Sequence, residues 1–253
     1  MWPEKSLISA YKEAGYKTYY ISYLSQAHVG DNAINQIVNE ADTYIRRKSG
    51  YDDKGLEDIK NALQSPGDKK LIIYKLIGSH FNYQDRYPPE YNIFKPSFKD
   101  LEYYSPSVKD INILVNSYDN SILFTDFVTN EVIKILKEQD GINILAFISD
   151  HGTAIYEDGK SLYGGNTKAN YNIPLFFWFN KEGENTFHKE IEILKTNVNK
   201  PIDADYFIDT MFDISGLKTE KRKGYTLVDK NLIPKKRVVT TAGELFNYDE
   251  LPD

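Results

Sequence analysis

Two short polar segments of this sequence each follow an apolar run, and each contains a histidine. Residues 149–152 read Ser-Asp-His-Gly and follow the apolar run 142–148, while residues 78–80 read Gly-Ser-His and follow the run 70–77. Ligands of open α/β sheets bind beyond the carboxyl ends of the strands. If both runs are strands of such a sheet, these two histidine segments are where chemistry is expected.

The pair Asp150 and His151 offers carboxylate oxygen and imidazole nitrogen, two donor types that Zn²⁺ takes from proteins. Neighbouring residues of an ideal strand point to opposite faces, so the two side chains can share one ion only if the chain turns, and Gly152 is expected to ease that turn. Two ligands are too few, because a catalytic zinc site uses about three protein ligands and an open position. The alternative is that Asp150 caps a turn and His151 is a structural histidine.

The other two histidines give weaker signals. His28 lies in a segment that can reach a site from a strand-end loop, although a histidine in a loop is more often simply exposed. His188 lies in a charged surface segment, and we interpret it as structural. The sequence contains none of the short motifs of serine hydrolases, P-loop proteins or dinucleotide-binding folds.

Hydrophobic periodicity predicts an alternation of strands and helices. Strands are predicted at residues 16–23, 70–77, 142–148 and 173–179. Helices are predicted at residues 6–14, 31–48, 53–64, 107–139 and 205–215. Residues 81–106 are predicted to form a long irregular loop, and those after 216 short strands or a hairpin. This order predicts an α/β fold, a mostly parallel sheet flanked by helices, in a single domain over residues 1–253.

Composition excludes several classes of function. The 253 residues carry a net charge of −6 and include no cysteine. An acidic chain lacks the basic face that binds nucleic acid, so no nucleic-acid partner is expected. The absence of cysteine excludes disulfides and thiolate metal sites. No window of about 18 apolar residues is present, so the sequence predicts a soluble chain that does not itself span a membrane.

Several segments resemble the phosphoethanolamine transferases, which are membrane-anchored enzymes of the sulfatase and alkaline-phosphatase-like superfamily. The segments GSHFNYQDRYPPEYNIFKP (78–96), YDNSILFTDFV (118–128) and FISDHG (147–152) stand in the order and at the approximate spacing of that family. Flanking segments at 6–22 and 207–217 are also similar. SDHG alone points only to the superfamily, whereas the first two segments are more specific.

The resemblance implies an alkaline-phosphatase/sulfatase-like fold and a particular reaction. Family members move phosphoethanolamine from phosphatidylethanolamine to lipid A, a lipopolysaccharide core sugar or another envelope glycan. They use a threonine nucleophile activated by Zn²⁺, at the periplasmic face of the bacterial inner membrane. The implied roles in this sequence are metal ligation by Asp150 and His151, contact with the transferred phosphate by His80, and weaker substrate contacts by Ser79 and Tyr163.

The sequence departs from the family pattern in ways that bear on activity. No residue matches the metal-binding glutamate or the threonine nucleophile, both upstream in the family, so we expect a partial domain, the C-terminal part of a longer one. Membrane contact is then expected through an N-terminal region that is not part of this sequence. Thr153 stands where many members have an acidic residue, and Tyr163 aligns near a common histidine. We therefore expect the isolated chain to bind zinc weakly and to be inactive.

Two other functions stay open at this point. One is another enzyme of the superfamily, a sulfatase-type hydrolase or a phosphoglycerol transferase, since these share the Asp-His pair. The other is a non-catalytic module that binds a glycan or a protein partner through the aromatic loop at 81–104. Zinc binding that requires Asp150 and His151 would count against the second alternative.

Overall fold

The computed structural model describes residues 6–22, 32–47, 49–102, 108–218, 222–241 and 243–252. His28 lies outside the described residues. The chain divides into two compact units, unit 1 (Met1–Pro106 and Asn112–Ile135) and unit 2 (Ser107–Ile111 and Leu136–Asp253). Among the described residues, no helix has both the length and the apolar character needed to cross a membrane.

Unit 1 is built on a parallel sheet of three strands. These strands are β1 (Lys17–Ser22), β2 (Thr43–Arg46) and β3 (Lys70–Lys75), in the order β2-β1-β3. Tyr19 of β1 lies opposite both Thr43 and Ile72, which fixes the register of the two pairings. The sheet confirms the predicted α/β class and places the carboxyl end of β3 directly before residues 78–80.

Helices cover both faces of this sheet because its strands alternate apolar side chains between the faces. On one face, Tyr20 and Ile73 pack with α1 (Leu7–Glu13) and α2 (Asn32–Val38). On the other face, Ile21 packs with Ile59 of α3 (Gly55–Gln64) and Ile135 of α4 (Ile111–Lys137). Of α4, residues Asn112–Ile135 belong to unit 1.

The prediction of one helix over 31–48 is wrong in its second half. Helix α2 ends at Val38, and residues Thr43–Arg46 form strand β2. Their backbone pairs with β1 over four residues, beginning with Tyr19 opposite Thr43. The β-branched and aromatic residues of this short stretch suit a strand, and pairing with β1 outweighs the helical spacing that precedes it.

In the described part of unit 2, two pairs of antiparallel strands occur together with the helices α5 to α7. Strands β4 (Ile144–Ile148) and β5 (Leu175–Phe179) pair with each other, as do β6 (Val238–Thr241) and β7 (Glu244–Asn247). The helices are α5 (Lys181–Thr186), α6 (His188–Asn197) and α7 (Tyr206–Ile214). The predicted strands at 142–148 and 173–179 and the helix at 205–215 are present. The antiparallel direction of β5 and the helices α5 and α6 were not predicted.

The core of unit 2 lies on one face of β5. Leu175 and Phe177 pack against Tyr206 of α7 and against Leu227 and Leu232 of the following loop. Phe176, which points to the opposite face, stacks on Phe147 of β4 with ring centroids 5.1 Å apart. Alternate residues of β5 thus face opposite sides: Leu175 and Phe177 face the core, whereas Phe176 remains 39% exposed beside Phe147.

Polar side chains of α4 attach the long loop that follows β3, and the buried Asn120 makes more of these bonds than Asn116 or Ser117. Asn120 is fully buried, and its Oδ1 accepts hydrogen bonds from the backbone N–H groups of Ile93 (2.9 Å) and Phe94 (2.8 Å). Its Nδ2 donates to the carbonyl of Phe94 at 2.9 Å and to Asn92 Oδ1 at 3.2 Å. The two segments that carry the specific resemblance, 78–96 and 118–128, are therefore in direct contact.

We expect Asn120→Ala to lower the free energy of unfolding by about 2 kcal/mol, because it removes side-chain hydrogen bonds to the loop that typically contribute roughly 0.5–1.5 kcal/mol each. The measurement is urea denaturation monitored by circular dichroism. Asn116→Ala is the matched control, since Asn116 lies one turn earlier on α4 and makes one bond to the loop, from Nδ2 to the carbonyl of Pro96. Equal losses in the two variants would contradict this account of the loop.

Candidate functional site

The residues after β4 leave the strand through hydrogen bonds within their own segment. The N–H of Ser149 donates to the carbonyl of Pro174 at 3.3 Å, which extends the β4–β5 ladder by one residue. The hydroxyl of Ser149 then donates to the carbonyl of His151 at 2.8 Å, and the N–H of His151 donates to Asp150 Oδ1 at 3.1 Å. Asp150 and His151 are both exposed. The strand therefore ends by presenting a carboxylate and an imidazole to solvent.

Gly152 is required by a close approach between two backbones. A Cβ atom at this position would lie 2.0 Å from the carbonyl oxygen of Ala169, and the N–H of Gly152 donates to the carbonyl of Asn170 at 2.9 Å. No other residue type fits without moving one of the two backbones. The expectation that Gly152 eases a turn is thus replaced by a packing reason.

The His151 ring is oriented by a hydrogen bond that also selects its tautomer. Its Nδ1 lies 2.6 Å from the carbonyl oxygen of Gly152. A carbonyl oxygen only accepts, so Nδ1 carries the proton and Nε2 has the lone pair in the neutral ring. Histidine ligands of metals commonly donate their other ring N–H to such a carbonyl. In the neutral ring, the nitrogen of His151 that can accept a hydrogen bond or bind a metal is therefore Nε2.

Tyr163 lies beside His151 at the end of a hairpin-like loop. Its ring centroid is 6.2 Å from that of His151, with an angle of 74° between the rings. The loop closes through the N–H of Tyr163, which donates to the carbonyl of Ala154 at 3.1 Å, and through a bridge between Ile155 and Leu162. The backbone of Tyr163 has φ of 51°, a conformation that costs a non-glycine residue about 1–3 kcal/mol.

The tip of this loop is fixed by Asp158. Its Oδ1 accepts the N–H groups of Lys160 (3.0 Å) and Ser161 (2.7 Å), and its Oδ2 accepts the hydroxyl of Ser161 (2.6 Å). These bonds, led by the one from the Ser161 hydroxyl, lower the pKa of the Asp158 carboxyl from 3.8 to about 2. A carboxylate that accepts several hydrogen bonds is favoured over its protonated form.

Asn170 is a site residue that sequence reasoning missed. It is buried, and its Oδ1 accepts the N–H of Ala154 at 3.1 Å. Its Nδ2 donates to the carbonyls of Gly164 (3.0 Å) and Gly165 (3.2 Å) and to the hydroxyl oxygen of Thr167 (3.0 Å). No feature of the sequence marked it, because an asparagine in a glycine-containing loop is ordinary and its partners are mostly backbone atoms.

The Gly78-Ser79-His80 segment lies in unit 1, and the side chain of Asp52 bonds to the backbone at its start. The two carboxyl oxygens of Asp52 accept the N–H groups of Ile77 (2.9 Å) and Gly78 (2.8 Å). Burial raises the pKa of the Asp52 carboxyl, an effect larger than the lowering by its two backbone donors. The buried carboxyl group of Asp52 therefore fixes the backbone that follows β3, immediately before Ser79 and His80.

His80 is exposed, and its orientation parallels that of His151. Its Nδ1 lies 2.5 Å from the carbonyl oxygen of Phe81, the next residue, so Nδ1 is again the protonated nitrogen. Arg86 donates from Nε to the carbonyl of His80 at 2.8 Å and from Nη2 to that of Phe81 at 3.3 Å. The hydroxyl oxygen of Ser79 is buried and has no hydrogen-bond partner among the described residues.

The described residues supply only part of a zinc site. Asp150 and His151 are suitable donors, but within the described ranges no group of three or more His, Cys, Asp or Glu side chains is placed to hold an ion. The pair borders a groove of about 1240 Å³ within unit 2, which Asn170, Phe177 and Leu227 also line. The pair thus lies on a groove that is lined by both polar and apolar side chains.

The family of the chain follows from comparison with known proteins. The family model described as Sulfatase matches residues 1–217. The chain belongs to the sulfatase family. The match includes both histidine segments, at 78–80 and 149–152.

Within the sulfatase family, the chain is similar to phosphoethanolamine transferases. Phosphoethanolamine transferase EptC of Escherichia coli strain K12 is 26% identical over 269 residues, which cover 98% of this chain and 45% of that protein. Phosphoethanolamine transferase EptA of Salmonella typhimurium is 29% identical over 194 residues, covering 73% of this chain and 34% of that protein. These similarities confirm the resemblance drawn from the sequence. The chain spans less than half of the length of either relative.

Solved structures of the same proteins share the fold. The C-terminal periplasmic domain of EptC from Escherichia coli, in complex with Zn, has a TM-score of 0.85 at 24% identity, over 98% of this chain and 73% of that chain. The corresponding domain of EptC from Campylobacter jejuni has a TM-score of 0.76 at 25% identity, over 91% of this chain and 73% of that chain. These likenesses confirm the sulfatase-like fold.

We expect Gly152→Ala to destabilise the protein by about 3 kcal/mol, because its Cβ overlaps a backbone oxygen that cannot rotate away. Urea denaturation gives the change in the free energy of unfolding. Gly159→Ala is the control: Gly159 also lies near the site but has open space around its Cβ, so only its φ of 76° opposes the substitution, at about 1 kcal/mol. A Gly152→Ala variant as stable as Gly159→Ala would contradict the close approach.

We expect the Asp158 carboxyl to titrate near pH 2 in a carbon-detected NMR experiment. The folded pKa lies below the ordinary 3.8, so ionised Asp158 stabilises the fold above that value, and the contribution is lost as the pH falls from 3.8 towards 2. Ser161→Ala removes the largest cause and should move the pKa back towards 3.8. A wild-type pKa already at 3.8 would show that the loop tip lacks these bonds.

Proposed function

We propose that this chain is the catalytic-domain part of a phosphoethanolamine transferase. The full protein would move phosphoethanolamine from phosphatidylethanolamine to lipid A, lipopolysaccharide core or another envelope glycan. The observation that carries the proposal is the Asp150–His151 pair at the end of β4, in a chain that aligns with EptC over 98% of its length. The setting we propose is the periplasmic face of the bacterial inner membrane, as for the relatives whose periplasmic domains are solved.

We assign Asp150 and His151 to a Zn²⁺ ion. Asp150 would ligate through a carboxylate oxygen and His151 through Nε2, since Nδ1 donates to the carbonyl of Gly152. Bound zinc supplies charge neutralisation at phosphate oxygens and lowers the pKa of a coordinated nucleophile. No residue of this sequence matches the glutamate ligand or the threonine nucleophile of the family, which is why we propose weak zinc binding and no turnover for the isolated chain.

We assign His80 to the transferred phosphate. Its ring is exposed, and the bond from Nδ1 to the carbonyl of Phe81 fixes the plane in which Nε2 lies. When the ring is protonated, Nε2 can donate to a phosphate oxygen or assist the leaving group. Arg86 supports this role by holding the carbonyls of His80 and Phe81 rather than by touching substrate.

Tyr163 and Ser79 are proposed as weaker substrate contacts. The Tyr163 ring is 41% exposed and lies beside His151, so a phosphate bound at His151 would lie close to it. Ser79 has a hydroxyl oxygen without a hydrogen-bond partner among the described residues, directly before His80. Both residue types donate through O–H, and charge-assisted bonds to phosphate are stronger than those between neutral groups.

A non-catalytic glycan-binding module is the less supported function. That hypothesis relies on aromatic rings of the loop at 81–104 being free to stack on sugars. Tyr83 and Tyr87 are fully buried, and Tyr87 packs with Phe124 and Val128 of α4. These rings serve the core of unit 1, which removes much of the surface that a sugar would need.

We predict that Asp150→Asn, introduced into the native protein that contains this chain, abolishes transfer of phosphoethanolamine to its envelope acceptor. The reason is that the substitution removes a charged metal ligand while preserving the shape of the side chain. Mass spectrometry of envelope lipids and glycans detects the modification and identifies the acceptor. His188→Ala is the matched control, because His188 is an exposed histidine of the same unit at the start of α6.

A modification that persists in Asp150→Asn at normal protein level would refute the proposed function. The isolated chain gives a second test, through Zn²⁺ titration calorimetry with the same two variants. Weak binding that disappears in Asp150→Asn and survives in His188→Ala is expected. Measurable transfer by the 253 residues alone would contradict the proposed need for an external nucleophile.

A further inference from the structure

In unit 2, one buried side chain bonds both to the segment that follows His151 and to the segment that follows Tyr163. Asn170 is 8% exposed and bonds through its side chain to three stretches of chain. Its Oδ1 accepts from Ala154, three residues after His151, and its Nδ2 donates to the carbonyls of Gly164 and Gly165, directly after Tyr163. The backbone carbonyl of Asn170 additionally accepts from Gly152, the residue after His151.

These bonds set the distance between His151 and Tyr163. The His151 ring is fixed by the carbonyl of Gly152, and the N–H of Gly152 is fixed by Asn170. Tyr163 adopts a left-handed backbone that needs outside support, and the carbonyls that follow it are held by the same asparagine. The bond from Gly152 goes to the backbone carbonyl of Asn170, whereas its side chain bonds to Ala154 on the His151 side and to the carbonyls that follow Tyr163 on the other. The side chain thus connects the segments of two rings whose centroids are 6.2 Å apart.

A second asparagine makes an equivalent set of bonds at the opposite end of the same ladder. Asn180 is also 8% exposed, and its Oδ1 accepts the N–H groups of Asn143 and Gly183, each at 3.0 Å. Its Nδ2 donates to the carbonyl of Gly141 at 2.7 Å and to Glu182 at 3.0 Å. The two asparagines match in type, burial and number of partners, but only Asn170 lies at the end that carries His151.

We propose that Asn170 is a positioning residue of the candidate zinc site, which holds His151 and Tyr163 as a preset pair. The proposal rests on the proposed function and extends it to a residue that touches neither metal nor substrate. Asn170 acts through backbone atoms on both sides. Its loss leaves Asp150, His151 and Tyr163 in the sequence but releases the geometry that joins them.

The test compares Asn170→Leu with Asn180→Leu in the full 253-residue chain. Leucine has the branched shape and the same number of side-chain heavy atoms as asparagine, although it is larger, and it neither donates nor accepts, so both variants lose four side-chain hydrogen bonds. Three quantities are measured: the melting temperature, the nuclear Overhauser effect between the His151 and Tyr163 rings, and the dissociation constant of Co²⁺ from its absorption spectrum. Co²⁺ is the probe because it reports on ligand geometry where Zn²⁺ is spectroscopically silent.

The expected result is a comparable fall in melting temperature for both variants, with different effects on the site. Asn170→Leu should lose the Overhauser effect and raise the Co²⁺ dissociation constant about tenfold, the usual scale for residues that orient a ligand. Asn180→Leu should keep both properties. Retention of both by Asn170→Leu, or loss of the Overhauser effect in both variants, would overturn the proposal, since stability alone would then explain the data.

A further variant decides the question if Asn170→Leu does not fold. Asn170→Asp keeps an acceptor for Ala154 but has no donor for Gly164 and Gly165, and it is assessed by the Overhauser effect alone because its charge would itself attract Co²⁺. Loss of the effect supports the proposal, and retention overturns it. Failure of the proposed function would look different: wild type and Asp150→Asn would bind Co²⁺ equally, while the Overhauser measurement would still test Asn170.

Discussion

The approach of two backbones after β4 is the constraint on which the unit 2 site depends. Gly152 passes so close to the carbonyl of Ala169 that no side chain fits between them. That contact brings the chain after β4 against the chain before β5, and it allows Gly152 to donate to the carbonyl of Asn170. The exposed side chains of Asp150 and His151 are therefore attached to a backbone whose path is set by this close approach. A site made of exposed side chains gains its order from the backbone beneath it.

The rings of His80 and His151 are oriented by the same kind of hydrogen bond, although the two residues lie in different units. In each, Nδ1 donates to the carbonyl of the next residue, at 2.5 Å for His80 and 2.6 Å for His151. This bond requires no particular residue type after the histidine, since every residue has a backbone carbonyl. In the neutral ring it determines which nitrogen carries the lone pair. The two segments differ in the buried side chain that bonds to the nearby backbone. After β3 it is the carboxyl group of Asp52, and after β4 it is the amide group of Asn170. Both are polar side chains that bond to backbone.

Sequence reasoning located the ends of β3 and β4 because an apolar run that stops at polar residues is a local signal. It failed where the deciding interaction is distant. Helical spacing continued into Thr43–Arg46, but pairing with β1 decided their state. Periodicity is also silent on strand direction, so the antiparallel pairing of β5 was not predicted. Asn170 escaped notice for the same reason, because its importance comes from its partners at Ala154, Gly164 and Gly165 rather than from its residue type.

Asn120 bonds to backbone atoms of the loop after β3, not to the side chains of Ile93 and Phe94, which are 61% and 43% exposed. The backbone path of that loop and the exposed surface at positions 93 and 94 therefore depend on different side chains. Substitutions at positions 93 and 94 can change what the surface presents while the backbone path stays constant. The side chains at positions 93 and 94 can therefore be replaced without loss of the Asn120 bonds, whereas a change at Asn120 removes several bonds to the loop backbone at once.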